Sequence, residues 1–245
     1  DFLFARFVHE AGVDVVLVGA SLGQVVLGYD STLPVTLDEM IHHASAVRRG
    51  APDAFVIVDM PFMSFQVSPE SALESAGRVM KRTGVQGVKL EGGGPRVLET
   101  VSLLVESGIP VMGHVGLTPQ SVHALGGYRV QGRAGEAAER LRREARGLQE
   151  AGAFSVVLEL VPRELAAEIS AELEIPTIGI GAGPDCDGQV LVLPDALGLN
   201  RGFEPRFLKR FADLHGAAKQ GLEAYVREVR EGTYPAEEHS FPAES

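Results

Sequence analysis

The chain has a single cysteine, Cys186, so no intramolecular disulfide can form. That fits a reducing compartment, and a cytoplasmic location is expected. There is no apolar run of about 18 residues, the length a membrane-spanning helix needs, so no membrane partner is expected. Cationic residues are in the minority: 22 Lys and Arg stand against 33 Asp and Glu, a net charge of -11. A nucleic-acid binder needs a basic surface, and an anionic membrane would repel this one, so neither is an expected partner. No His or Cys cluster has zinc-ligand spacing. His9-Glu10 lacks the second His that would make a zinc-protease helix. The first residues, Asp1 to Arg6, have no initiator Met and no basic stretch leading into an apolar one, so no signal peptide is expected there.

What is present is ordinary apolar content, 45%, arranged in a regular alternation. Seven short β-branched runs lie at 13–19, 55–60, 87–91, 110–115, 155–161, 176–181 and 189–193. Each is apolar on both faces, as strands of a parallel sheet covered on both sides should be. Helical patterns separate them. Thr36 with Glu39 reads as a capping box opening a helix through Arg48, and Ser68-Pro69 as the N-cap and first residue of another. Further helices are expected over 96–106, stopped by Gly108, over 137–150, stopped by Gly152, and over 162–173, 205–214 and 217–231. The chain opens on a helical stretch, 2–11, which lacks a strand of its own. Seven strands plus one absent at the front make eight, so the expected fold is a (β/α)8 TIM barrel over residues 1–232, with a polar, loosely held tail over 233–245. An open doubly wound sheet is the rival.

In a parallel barrel the chemistry lies where the strands end. Four consecutive strands end on ionisable groups: Asp59; Lys89 with Glu91; His114; and Glu159. Lys89 and Glu91 are two apart and so share a face. One such charge could be a solvated rim residue, but four in a row point to a site. Three carboxylates around one lysine suit a hard cation such as Mg2+. His114 reads equally as a satisfied core residue or as a neighbour of the active site. Between Glu91 and Glu159, the residues alone do not single out a base. The glycines at 92–94 and 179–183 read as tight exits that let backbone approach a ligand, not as a dinucleotide loop, because the spacing fails at Cys186. The stretch 116–132, carrying Thr118, Gln120, Ser121 and Tyr128, is long enough for a lid or binding loop.

The segments Gly19-Ala-Ser-Leu-Gly23, Asp30-Ser-Thr-Leu-Pro-Val-Thr36, Asp59-Met-Pro-Phe-Met63, Val88-Lys-Leu-Glu-Gly-Gly93, Gly113-His-Val-Gly-Leu-Thr-Pro-Gln-Ser121, Gly126-Gly-Tyr-Arg-Val-Gln-Gly-Arg133, Leu158-Glu-Leu-Val-Pro162 and Tyr234-Pro-Ala-Glu-Glu-His239 resemble, in collinear order, the ketopantoate hydroxymethyltransferase family. The resemblance implies a (β/α)8 barrel, a Mg2+ ion and a homo-oligomer, decameric in well-known members. It implies transfer of the one-carbon unit of 5,10-methylenetetrahydrofolate to 3-methyl-2-oxobutanoate, giving 2-dehydropantoate in pantothenate biosynthesis. By motif position, Asp59 would bind the metal, Glu91 would bind it directly or through water, Ser21 and Lys89 would hold the 2-oxo acid, and Glu159 would move the proton.

Two departures from the family pattern bear on activity. The family carries a metal-binding Asp where this chain has Ala20. An alanine cannot ligate, so weakened Mg2+ binding is expected. The family also has a strand before the position of Asp1. Two rivals to the one-carbon transferase follow. One is an enolising barrel of the phosphoenolpyruvate mutase and isocitrate lyase type. The other is a catalytically silent barrel that serves as an oligomer subunit.

Overall fold

The computed structural model describes residues 1–133 and 135–243. Two compact units are present, Asp1–Val190 and Leu191–Ser245. The first holds seven parallel strands in the order of the chain: β1 (Val15–Val18), β2 (Phe55–Asp59), β3 (Gly87–Glu91), β4 (Val111–Gly116), β5 (Ser155–Glu159), β6 (Thr177–Ile180) and β7 (Gly188–Gln189). Helices α1 (Phe2–Glu10), α2 (Leu22–Val25), α3 (Leu37–Gly50), α4 (Pro69–Thr83), α5 (Pro95–Glu106), α6 (Gly135–Glu150) and α7 (Arg163–Glu172) intervene.

Local sequence explains where these helices start and stop. Thr36 accepts from the Glu39 amide while the Glu39 carboxylate accepts from the Thr36 amide, so two orphan donors of α3 are satisfied at once. Ser68 does the same with Ser71, ahead of Pro69 at the first helical position of α4. That helix ends on Gly84, whose left-handed φ of 70° suits a residue without Cβ.

The strands sort their side chains by the period of two. Val56, Val58, Val88, Leu90, Val111, Val156 and Leu158 join the main core with the helices. The alternate residues Ile57, Met112 and Val157 form a separate cluster on the opposite face, packed with Val15, Leu17, Phe154, Ile178 and Ile180. Members from β1 to β6 thus touch on one face. The Phe55 and Phe154 rings, at the starts of β2 and β5, lie 5.8 Å apart edge to face. In a flat sheet three strand spacings would separate them by about 14 Å. The sheet is therefore curled, with this face concave.

The expected closed eight-stranded barrel is matched only in part. Seven strands curl, and among the described residues β1 and β7 remain edges that do not pair with each other. The last expected strand, 189–193, is displaced. β7 has two residues, and Val192 instead precedes α8 (Leu193–Ala196), because Pro194 sits at the start of a helix where its missing amide costs nothing.

The second unit contains α8 and α9 (Leu214–Glu231). The helix expected over 205–214 does not form. The Phe211 and Leu214 amides donate instead to the carbonyls of Ala196 and Leu197, which lays this segment irregularly along α8. Asp213 then caps α9 by accepting from the Gly216 amide. No helix among the described residues is long and apolar enough to cross a membrane. The tail expected over 233–245 carries a short turn, Glu237–His239, and is exposed as far as 243. Its last two residues lie outside the described ones.

Candidate active site

The concave face ends in ionisable groups because the strand period continues past its apolar layer. Two residues beyond Ile57 comes Asp59, beyond Met112 comes His114, and beyond Val157 comes Glu159. On β3 the small Gly87 is followed at the same period by Lys89 and Glu91. Strand register aligns them: Asp59 pairs with Lys89, and Glu91 with His114. Pro110 O lies 2.7 Å from where a Gly87 Cβ would stand, so a side chain there would force the strands apart.

Four of the five side chains make a continuous array. Lys89 Nζ lies 2.7 Å from Oδ1 of Asp59 and 3.0 Å from Nδ1 of His114. His114 Nε2 lies 3.2 Å from Oε2 of Glu159, close but not aligned as a hydrogen bond. Glu91 is anchored differently: its Oε2 accepts from the backbone amide of Gln120. The Gln120 side chain donates to the Met60 carbonyl and accepts from Gln66, so it ties the β4 exit to the β2 exit. Sequence reasoning placed Gln120 only in a long loop. Its contact with Glu91 carries no local signal, because the partners are 29 residues apart. Asp59 Oδ2 accepts from the Ala20 amide. Ser21 Oγ and Asp59 Oδ2 both flank Gly19, at 3.2 and 3.4 Å from where a Cβ would stand. The Ser21 hydroxyl makes no capping bond to α2. The structure thus puts Ser21, Asp59, Lys89, Glu91, His114 and Glu159 at one end of the concave face.

Burial sets the protonation states. Lys89 and His114 are nearly inaccessible, while Glu159 is the most open, at 17% side-chain exposure. Burial pulls the Lys89 ammonium down, but Asp59 and then Glu91 and Glu159 outweigh it, so its pKa is raised. His114 is lowered to about 4, first by burial and then by Lys89, and is neutral at pH 7. Glu91 is raised, chiefly by burial. Glu159 is raised to about 7 by burial against the pull of Lys89, which is the range a general base needs.

Two non-glycine residues with positive φ flank this region, Met63 at 64° after β2 and Leu160 at 47° directly after Glu159. Strain of this kind survives only where neighbours hold it. Leu160 is held by its amide on Ile180 O and by the Gln131 amide on its carbonyl.

Among the described residues no cluster of three or more His, Cys, Asp or Glu side chains could hold a metal by protein donors alone. A Mg2+ ion needs fewer, because it keeps several waters and shares its sphere with substrate. Asp59 Oδ1 is buried and accepts no aligned hydrogen bond among the described residues, despite the nearby ammonium. That oxygen, with Glu91, fits such a partial donor set.

Comparison with known proteins follows the same direction. The sequence model of a family described as ketopantoate hydroxymethyltransferase matches residues 1–237. The 3-methyl-2-oxobutanoate hydroxymethyltransferase of Leptospira interrogans is 54% identical over 241 residues, covering 98% of this chain and 91% of its own length. That of Thermotoga sp. (strain RQ2) is 56% identical, covering 98% and 88%. Among solved structures, 2,3-dimethylmalate lyase, a PEP mutase/isocitrate lyase superfamily member, aligns with a TM-score of 0.59 at 19% identity, covering 99% of this chain and 84% of its own. A phosphonopyruvate hydrolase complex with oxalate and Mg++ aligns with 0.61 at 10% identity, covering 98% and 85%. At these identities the structures speak for the fold alone.

Proposed function

Because the chain belongs to the ketopantoate hydroxymethyltransferase family, we propose that it carries the one-carbon unit of 5,10-methylenetetrahydrofolate to 3-methyl-2-oxobutanoate, forming 2-dehydropantoate for pantothenate biosynthesis. We propose further that it works in the cytoplasm as a homo-oligomer whose sheet belongs to a (β/α)8 barrel. The observation that carries the reading is the Asp59–Lys89–His114–Glu159 array at the carboxyl end of the concave face.

Each residue has a task in making and using an enolate. Glu159 takes the proton from C3 of the oxo acid; its raised pKa matches that task near neutral pH. Lys89 sets a fixed positive charge where the keto oxygen becomes negative. Ser21, with no capping duty, is free to donate to the substrate carboxylate. Asp59 and Glu91 would hold Mg2+, which when bound supplies Lewis-acid polarisation of the keto group. The enolate carbon then bonds to the folate one-carbon unit, and both of that carbon's bonds to folate nitrogens break. Water supplies the hydroxyl oxygen, and the two nitrogens take up the proton from C3 and one from water, which releases tetrahydrofolate.

The test is proton NMR of 3-methyl-2-oxobutanoate in D2O with Mg2+, with and without folate. Loss of the C3 proton signal without folate and product formation with it are expected. Exchange without any folate-dependent product would favour a second reading, an enolising barrel of the phosphoenolpyruvate mutase and isocitrate lyase type, the superfamily named for its fold neighbour 2,3-dimethylmalate lyase. Absence of both, with an Ala20→Asp form active, would mark a member impaired at the metal.

A further inference from the structure

Resting on the one-carbon reading above, we propose that the cleft between Asp30–Ser31 and Val122–Tyr128 seats the pterin ring of the folate, with the Asp30 carboxylate receiving its amide and amino N–H groups. The cleft has a volume of about 380 Å³.

Both walls grow out of residues at the site. One wall follows Ser21 through α2, and its turn is pinned by the Tyr29 amide on Gly23 O at 2.8 Å and by the Tyr29 hydroxyl on Glu39. The other follows Gln120, whose amide holds Glu91; it turns back through the Leu125 amide on Ser121 O and the Gly127 amide on Val122 O. Each wall is thus continuous with a residue of the site, Ser21 on one side and Gln120 on the other, and a one-carbon donor must be held within reach of that site. Partial burial, then Glu159 and Glu91, raise the Tyr128 pKa, which places its hydroxyl in the field of those carboxylates.

The lining suits this ring and not the oxo acid. Two neighbouring N–H donors on a flat heterocycle match the two oxygens of a carboxylate, and charge makes such bonds strong. Among the described residues the Asp30 side chain has no hydrogen bond or ion pair of its own. A small anionic oxo acid would be repelled by it. Tyr128 is 55% exposed and offers a flat face, with buried Val122 as an apolar neighbour. Gly127, at φ 106°, has open space where a Cβ would stand, so its backbone can lie against a ring.

The experiment is isothermal titration of the full chain with tetrahydrofolate and, separately, with 3-methyl-2-oxobutanoate and Mg2+. Asp30→Asn and Tyr128→Leu, one from each wall, should each weaken tetrahydrofolate by about tenfold or more, the equivalent of one good contact. Selective loss supports the proposal. Unchanged tetrahydrofolate affinity in both variants overturns it and leaves the one-carbon reading standing, as does a parallel loss of both ligands. A wild-type chain that binds no tetrahydrofolate overturns both.

Discussion

Lys89 Nζ and His114 Nδ1 stand 3.0 Å apart in the buried interior of the site. An ammonium can only donate, so Nδ1 must accept. The imidazole, neutral because its pKa falls to about 4, then carries its one proton on Nε2, the nitrogen nearest Glu159. Lys89 thereby fixes the tautomer that faces the base.

Removing Lys89 should cost stability before it costs chemistry. Lys89→Met leaves the Asp59 carboxylate buried without its partner. Loss of one member of a buried pair costs about 3–5 kcal/mol. Urea unfolding should show a fall of this size, and a midpoint equal to that of the wild type would contradict it.

Proton exchange at C3 should report Glu159 directly. Burial lifts its pKa from 4.5 to about 7, so the folded state holds this proton more tightly than the unfolded chain does. Its stabilising contribution is complete below the unfolded value and is lost as pH rises through about 7. Activity runs the other way: the base must be ionised, so exchange should climb through about pH 7 and level off above. Glu159→Gln should abolish the exchange and remove this step in stability. A flat exchange profile from pH 5 to 9 would assign the base elsewhere.

The Ala20→Asp variant should bind Mg2+ more tightly. Ala20 now contributes only its amide to Asp59, at 2.9 Å, and the residue is 1% exposed. A carboxylate there would stand beside Asp59 as a further oxygen ligand. Even groups that merely support a metal's ligands are worth about 10- to 100-fold in affinity. Calorimetry should show a gain of at least that order, and equal affinities would sink the idea.

Gly116→Ala should disturb the base from behind. Gly116 has φ 98°, and a Cβ there would lie 2.2 Å from the Glu159 carbonyl oxygen. Backbone strain and backbone collision together should cost about 2 kcal/mol or more. Thermal melts should fall accordingly, with slower exchange at the Glu159-dependent step. An unshifted melt would show that the β4–β5 crossing gives way easily.

The alternation of residue types was enough to locate six of the seven strands and to place Asp59, Lys89, Glu91, His114 and Glu159 at one end of them. A strand repeats every two residues, and a helix cap is written in four, so both are local. Nothing local specified that Phe55 would meet Phe154, that Gln120 would hold Glu91, or that residues 205–213 would run irregularly along α8. Those outcomes depend on the curl of the sheet and on amides finding distant carbonyls. His114 marks the boundary most sharply. Its residue type left a core role and a site role equally open, and only packing decided between them. The curl set it between an ammonium and a carboxylate, and burial made it neutral.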